Sequence, residues 1–325
     1  MRLLITGAGG LLGLNLALGW MHEHSVVGLD RGTLRNAPFD LMQIELTAAP
    51  GFVRALSEAR PDAVVHCAAM ADVDACERDP DMARRVNTDV PADIARVCQR
   101  LGVPLLHIST DAVFDGTTSA PYSEADRANP TSVYARTKLA AEGAVLETYP
   151  QAIVARVNFY GWSPTGRRSL AEFFVNGLST GSRVKGFTDV KFNPMLVADL
   201  GGVLLRMLES GLTGLYHAVG PEPMTKYEFG VAIARTFGYD ASLISRDSVE
   251  TAGLVAMRAH NLVLSVHKLS TALKERLPGF STGILKFYQQ FMEGYPQLIR
   301  SYQQLSPEMG LARGSTLAGA GAGPE

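Results

Sequence analysis

No apolar stretch among the 325 residues reaches membrane-spanning length. No basic-then-apolar leader stands ahead of Met1–Thr6, which already reads as core strand, so no secretory signal is expected. Cysteine is scarce. Cys67, Cys76 and Cys98 are odd in number and lack metal-ligand spacing, so no metal is expected. They fit a reducing cytoplasm, and Cys67, in an expected strand, reads as a buried small hydrophobe. Positive charge is not in surplus. Lys and Arg number 30 against 32 Asp and Glu, a net −2, so no general basic surface draws in nucleic acid. Neither a nucleic-acid nor a membrane partner is expected, and no internal repeat is visible. What remains is ordinary for a globular protein, with 46% hydrophobic and 19% charged residues. The length suits one large domain or two smaller ones.

The chain opens with a strand, a glycine turn and a helix. Arg2–Thr6 (R-L-L-I-T) runs into G-A-G-G-L-L-G, Gly7 to Gly13, and then into apolar L-N-L-A-L-G-W-M. That context turns a weak glycine pattern into a dinucleotide fingerprint of the G-x-x-G-x-x-G variant. Gly7 would permit the tight turn, Gly10 would let backbone approach a diphosphate, and Gly13 would let helix and strand pack closely. Leu11 and Leu12 fall at the helix start, which would face the phosphates. A glycine-rich turn without ligand is the alternative. The next strand, 25–29, ends at Asp30. An acid here usually binds the adenine ribose and favours NAD, whereas Arg31 could hold a 2′-phosphate, so NAD and NADP both stay open. Residues 32–44 read as a loop or short insertion. Glu45 and Leu46 precede a helix over 49–58. The Glu45 carboxylate could receive the adenine amino group or serve as a helix-start acid.

A strand A-V-V-H-C-A-A follows, and Ala68, Ala69 and Met70 at its end would let cofactor lie against the backbone. Residues 75–87 read as helical, with Asn87 near the active site. Residues 91–101 form an amphipathic helix and 103–109 a buried strand. The order β-α-β-α-β-α-α-β implies an α/β fold with a parallel, doubly wound sheet.

The chemistry concentrates between Ser109 and Lys138. Tyr134 and Lys138 lie four apart, on one face of the expected helix. An ammonium beside a phenol favours the phenolate, and such a tyrosine can exchange a proton with a substrate oxygen. Thr110 ends the strand, at the edge where ligands sit, and could bond the same oxygen. Alone, Tyr-x-x-x-Lys is in most chains a half-buried ring beside a solvated amine; the glycine turn gives it weight. Another strand, 152–157, ends in R-V-N-F-Y-G. Asn158 there could donate to a substrate or merely turn the chain.

Beyond Trp162 the elements shorten. A helix is expected over 169–178, a loop over 187–194, and a helix over 200–208 capped by Asp199. A strand over 215–219 precedes a capping box, Thr225 to Glu228. This suits a smaller substrate lobe over 161–300, interleaved with the sheet of a cofactor domain over 1–160. Arg258, in R-A-H-N-L, is a diphosphate clamp or an exposed arginine. The low-complexity tail 311–325 is expected to be disordered.

With these residues in view, the chain resembles the extended short-chain dehydrogenase/reductase superfamily, and most of all its dTDP-4-dehydrorhamnose reductase group, over about residues 1–295. The resemblance rests on R-P-D-A-V-V-H-C-A-A at 60–69, H-I-S-T-D-A-V-F-D-G at 107–116 and P-T-S-V-Y-A-R-T-K-L-A-A-E at 130–142. It implies a Rossmann-type sheet with a smaller C-terminal α+β lobe, NAD or NADP on the glycine turn, and a Thr110–Tyr134–Lys138 triad. The implied partner is a nucleotide-linked 4-keto-6-deoxysugar, met by Asp111, Ala112, Asn158, Asn193 and Arg258. In the implied reaction Tyr134 protonates the alkoxide, Lys138 lowers the tyrosine pKa and holds the nicotinamide ribose, and Thr110 orients the carbonyl. Such folds commonly dimerise, so a homodimer fits.

Three departures stand out. Ala112 replaces the group's usual tyrosine, which reshapes the pocket beside the sugar. The pair Asp111-Ala112 lacks the glutamate of 4,6-dehydratases, and R-V-N-F-Y-G is nearer the epimerase form. An NAD-retaining epimerase, a reductase of another substrate, and a non-catalytic regulatory subunit of the kind that partners methionine adenosyltransferase remain as alternatives.

Overall fold

The computed structural model describes residues 1–48, 50–251, 259–302 and 304–305. Its centre is a sheet of seven parallel strands: β1 (Arg2–Thr6), β2 (Ser25–Asp30), β3 (Asp40–Gln43), β4 (Ala63–His66), β5 (Leu105–Thr110), β6 (Ile153–Val157) and β7 (Gly214–Ala218). They lie in the order β7-β6-β5-β4-β1-β2-β3. The inner strands β4, β5 and β6 are buried along their whole length, as parallel strands covered on both faces must be. Alternation along β1 divides the core. Leu3 and Ile5 face the layer that holds Leu11, Leu16 and Trp20. Leu4 faces the opposite layer, with Phe52, Leu56, Ile94 and Val145.

The helix Leu11–Trp20 is buried nearly all round. It needs a cover from far along the chain, which helix Val197–Glu209 provides: Leu200 and Leu204 share its cluster, and Gly201 lets Leu16 approach. A second core is largely aromatic. Tyr160, Trp162, Phe174, Phe229 and Phe287 fill it, with Trp162 stacked on Phe287 at 4.1 Å between ring centroids. Asn15 ties the two together. Its Nδ2 donates to the carbonyls of Leu11 and Trp162, and its Oδ1 accepts from the Tyr295 hydroxyl.

Several expectations are corrected. The stretch 32–44 is not all loop: Asp40–Gln43 is β3, and Thr33–Leu34 pairs antiparallel with Gln304–Leu305. As a half-exposed edge strand with charged and polar ends, β3 carries no apolar run to announce it. Strand β4 stops at His66, so Cys67 lies beyond it and is only partly buried. The 75–87 helix is three pieces, Val73–Arg78, Pro80–Arg84 and a π turn Arg85–Asp89 that leads into helix Val90–Leu101. Within 187–194, Lys191–Phe192 pairs with Met224–Thr225 and Asn261–Leu262. Asp199 caps nothing. Its helix starts at Val197 without a side-chain cap, and the Asp199 carboxylate pairs instead with Lys286 at 2.5 Å. The Thr225–Glu228 capping box forms. Arg258 and 311–325 lie outside the described residues. Among those described, no helix is long and apolar enough to cross a membrane.

Candidate active site

Strands β1 and β4 are neighbours, and the chain leaves them toward opposite sides, so their C-terminal ends bound a crevice. Gly7 turns there with φ +68°, where a side chain would be strained, and a Cβ on it would sit 2.8 Å from the Ala68 backbone. A Cβ on Gly13 would lie 2.2 Å from the Gly7 carbonyl oxygen. These two glycines are required by the protein's own packing. Gly10 is different, since its Cβ would meet only Gly7 O, at 3.2 Å. Gly10 is also the N-cap of Leu11–Trp20, with no side-chain cap, so the first-turn backbone N–H groups of Leu12 and Gly13 suit an anion. A dinucleotide diphosphate fits that donor set.

Asp30 braces the turn. It accepts from Gly9 N at 2.9 Å and Gly32 N at 3.2 Å, at the end of β2 where a ribose would lie. Arg31 is exposed beside it. Glu45 is no helix-start acid: the helix begins five residues later, and Glu45 folds back on its own Thr47. Leu46 packs into the core below. Across the crevice, Ala68 N donates to Thr6 Oγ1, while Ala69 is exposed. Asn87, wholly buried in the π turn, bonds both backbone groups of Met70 and donates to Thr137 Oγ1. It positions the crevice wall against the helix Val133–Thr148.

That helix starts at Ser132, whose hydroxyl accepts from Ala135 N. Tyr134 therefore stands in the first turn and Lys138 one turn on. The Thr110 hydroxyl accepts from Ala112 N and donates to Asp111 Oδ1 at 3.1 Å, and it lies near enough to the Tyr134 phenol to lower its pKa. Threonine and tyrosine thus come together at the end of β5. The expected effect of Lys138 on the phenol is not met. Burial pushes Tyr134 up to about 12 against the influence of the nearby Thr110 hydroxyl, and the charges acting on it, Asp111 and Cys76, also raise it. The Lys138 ammonium is instead bonded to Ile108 O at 2.7 Å and His107 Nε2 at 3.2 Å.

Asp111 is buried and receives a short hydrogen bond from Asn158 Nδ2, so Asn158 is more than a turn residue. Burial raises the Asp111 carboxyl to about 6, opposed by Asn158, Thr110, the nearby Lys226 ammonium and Ala112 N–H. A raised carboxyl stabilises the fold fully below its ordinary value near 3.8, and that contribution is lost as pH rises through 6. Asp111→Asn should therefore raise the melting temperature at pH 8, by the equivalent of up to roughly 3 kcal/mol, and lose most of the gain at pH 4. An equal gain at both pH values would show that ionisation of Asp111 is not the cause. Ala112 is partly buried beside it.

Asn193 has another use than the expected one. Only 2% exposed, it donates to Gly220 O and accepts from Leu264 N, so its amide is spent on backbone. Sequence reasoning missed a buried polar chain behind the crevice. Glu142 accepts from Ser109 Oγ and, at 2.9 and 2.7 Å, from Arg156, which also meets His217 Nε2 at 3.3 Å. The only available hint was charge inside apolar strands, as in I-V-A-R-V.

Comparison with known proteins follows the same lines. The profile described as RmlD substrate binding domain matches residues 1–293. The "Probable low-salt glycan biosynthesis reductase Agl14" of Haloferax volcanii is 33% identical over 83% of this chain and 91% of its own length. A dTDP-4-dehydrorhamnose reductase of Mycobacterium tuberculosis is 36% identical over 74% and 76%. The mouse methionine adenosyltransferase 2 subunit beta is 32% identical over 90% and 88%. The crystal structure of a dTDP-4-dehydrorhamnose reductase from Clostridium acetobutylicum superposes with TM-score 0.80 at 26% identity, covering 90% of this chain and all of that one.

Proposed function

This chain belongs to the RmlD substrate binding domain family, within the extended short-chain dehydrogenase/reductase superfamily, and from that premise we propose that it is an NAD(P)H-dependent reductase of a nucleotide-linked 4-keto-6-deoxysugar. The observation that carries this reading is the pairing of Thr110 and Tyr134 at the end of β5, with a phenol that burial keeps protonated at neutral pH. Reduction of a ketone needs a proton donor, and a protonated phenol beside a threonine hydroxyl is one.

When bound along Gly7–Gly13, the nicotinamide cofactor supplies hydride to the ketone carbon. The rest falls to this chain. Tyr134 gives the carbonyl oxygen a proton as charge develops there, and Thr110 orients that oxygen by turning its hydroxyl proton from Asp111 to it when substrate is bound. Lys138, one turn along the same helix, provides a donor for the nicotinamide ribose. Asp111, held by Asn158, orients Thr110. Ala112, small where the group has tyrosine, leaves room beside the sugar. Asp30 takes the adenine ribose, with Arg31 beside it.

The test is oxidation of NADH and NADPH by the purified protein, with and without dTDP-4-keto-6-deoxyglucose. Substrate-dependent oxidation is expected, and the faster cofactor decides between the influences of Asp30 and Arg31. Intact cofactor binding with no oxidation would overturn the substrate assignment. A second reading draws on the breadth of the match to the methionine adenosyltransferase subunit, which spans 90% of this chain. It predicts a stable complex with a methionine adenosyltransferase and no turnover.

A further inference from the structure

The Lys138 ammonium sits in a setting hostile to charge. The side chain is 3% exposed, and burial lowers its pKa to about 8. An ammonium has three N–H donors and no lone pair. One donor goes to the Ile108 carbonyl and another to His107 Nε2. Nε2 must therefore accept, which leaves the His107 proton on Nδ1. The His107 ring is wholly buried and stacks on His66 at 5.3 Å between centroids. His66 Nδ1 in turn lies 2.7 Å from Thr6 Oγ1, the oxygen that also takes the Ala68 N–H. A continuous line of contacts thus runs from the lysine to the strand ends that carry the glycine turn.

We propose that His107 is a positioning residue for Lys138: its neutral Nε2 anchors the ammonium one helical turn from Tyr134, and together with Ile108 O it leaves a single N–H of Lys138 for the crevice. This rests on the reading of Lys138 as a member of the reductase site. The neutrality it needs is built in. Burial, with Lys138 opposite, takes His66 down to about 3 and His107 well below its ordinary value. The groups facing Lys138 are His66 at the end of β4 and Cys67 just beyond it, His107 from β5, and Glu142 one turn on along its own helix. Of these, Glu142 and Cys67 support the charge. Glu142 is shared with Arg156, so the side chain that accepts directly from Lys138 is His107.

The experiment is an NMR titration of protein labelled with 13C at the lysine ε carbon, with the Lys138 signal identified by its loss in Lys138→Arg. The wild-type midpoint is expected near 8. In His107→Phe, which keeps a ring but no acceptor, the midpoint should fall by about 1–2 pH units. In His107→Gln, which restores an acceptor, it should stay within about half a unit of wild type. Should the phenylalanine variant fail to fold, His107→Leu makes the same comparison. A midpoint unmoved by loss of the acceptor overturns the proposal. So does a glutamine variant that falls as far as phenylalanine, because ring packing would then be the cause. The titration needs no turnover, so a protein without reductase activity would sink the proposed reaction and still answer this question. In an active enzyme, the basic limb of kcat/KM should move down with the midpoint.

Discussion

Tyr134→Phe should lower kcat by about 10²–10⁴-fold, the usual worth of a positioned general acid. The ring stays, so the packing around it and the binding of NAD(P)H should change little. The loss should appear in kcat and kcat/KM together, because the missing proton transfer belongs to the transition state. Raising the pH should not rescue the variant. In the wild type, by contrast, activity should persist through neutral pH, since burial holds the phenol protonated well above pH 8. Steady-state kinetics of the two proteins side by side provide the check. An unchanged kcat would remove Tyr134 from the chemistry and, with it, the catalytic assignment of the whole β5 corner.

The largest stability effect should come from Arg156→Met. Arg156 and Glu142 are 4% and 5% exposed at their side chains and meet through two hydrogen bonds. Removing the guanidinium would leave a carboxylate in the core with the Ser109 hydroxyl, at 2.5 Å, as its hydrogen-bond partner and the Lys138 ammonium acting from one turn away. Breaking such a pair typically costs about 3–5 kcal/mol, a large part of the roughly 5–15 kcal/mol that holds a domain folded. The guanidinium also lies over the Phe114 ring at 4.9 Å, so some of the loss is packing. The double variant Glu142→Met/Arg156→Met should recover most of the deficit, because apolar replacement of a buried pair is often near neutral. Urea unfolding of the single and double variants measures both. A single variant less than about 1 kcal/mol below wild type would mean that water reaches Glu142.

The parts of the fold that could be read ahead were those encoded by local pattern. Glycines at spacing three marked the β1 turn, and four-residue spacing put Tyr134 and Lys138 on one helix face. The capping box at Thr225 was visible for the same reason. What escaped reading was set by distant neighbours. β3 exists because β2 offers it an open edge. Asp199 reached Lys286 across to another helix instead of capping its own. The Glu142–Arg156 pair joins a helix to a strand, and neither residue carries a mark that separates it from a surface charge. Lys138 is the instructive case. Its place one turn from Tyr134 followed from spacing, while its partners followed from the register of β5, which turns His107 inward beside Ile108 O. Asn193 erred the other way, a polar residue near a crevice that the fold uses to join its own loops.

The position of β7 also has a meaning in time. Its partner β6 is complete at Val157, but β7 begins only at Gly214. At ribosomal rates of about 5–20 residues per second, β6 waits roughly 3 to 11 s as an unpaired edge before β7 emerges. All five residues of β6 are buried in the finished protein. The helix that covers Leu11–Trp20, Val197–Glu209, emerges within the same interval. The nascent chain therefore passes through a stage in which strands β1 to β6 have been made and the sheet cannot yet be completed, with an apolar strand edge open to any other chain nearby. How well that edge is protected until β7 arrives would set how much of this protein reaches the folded state.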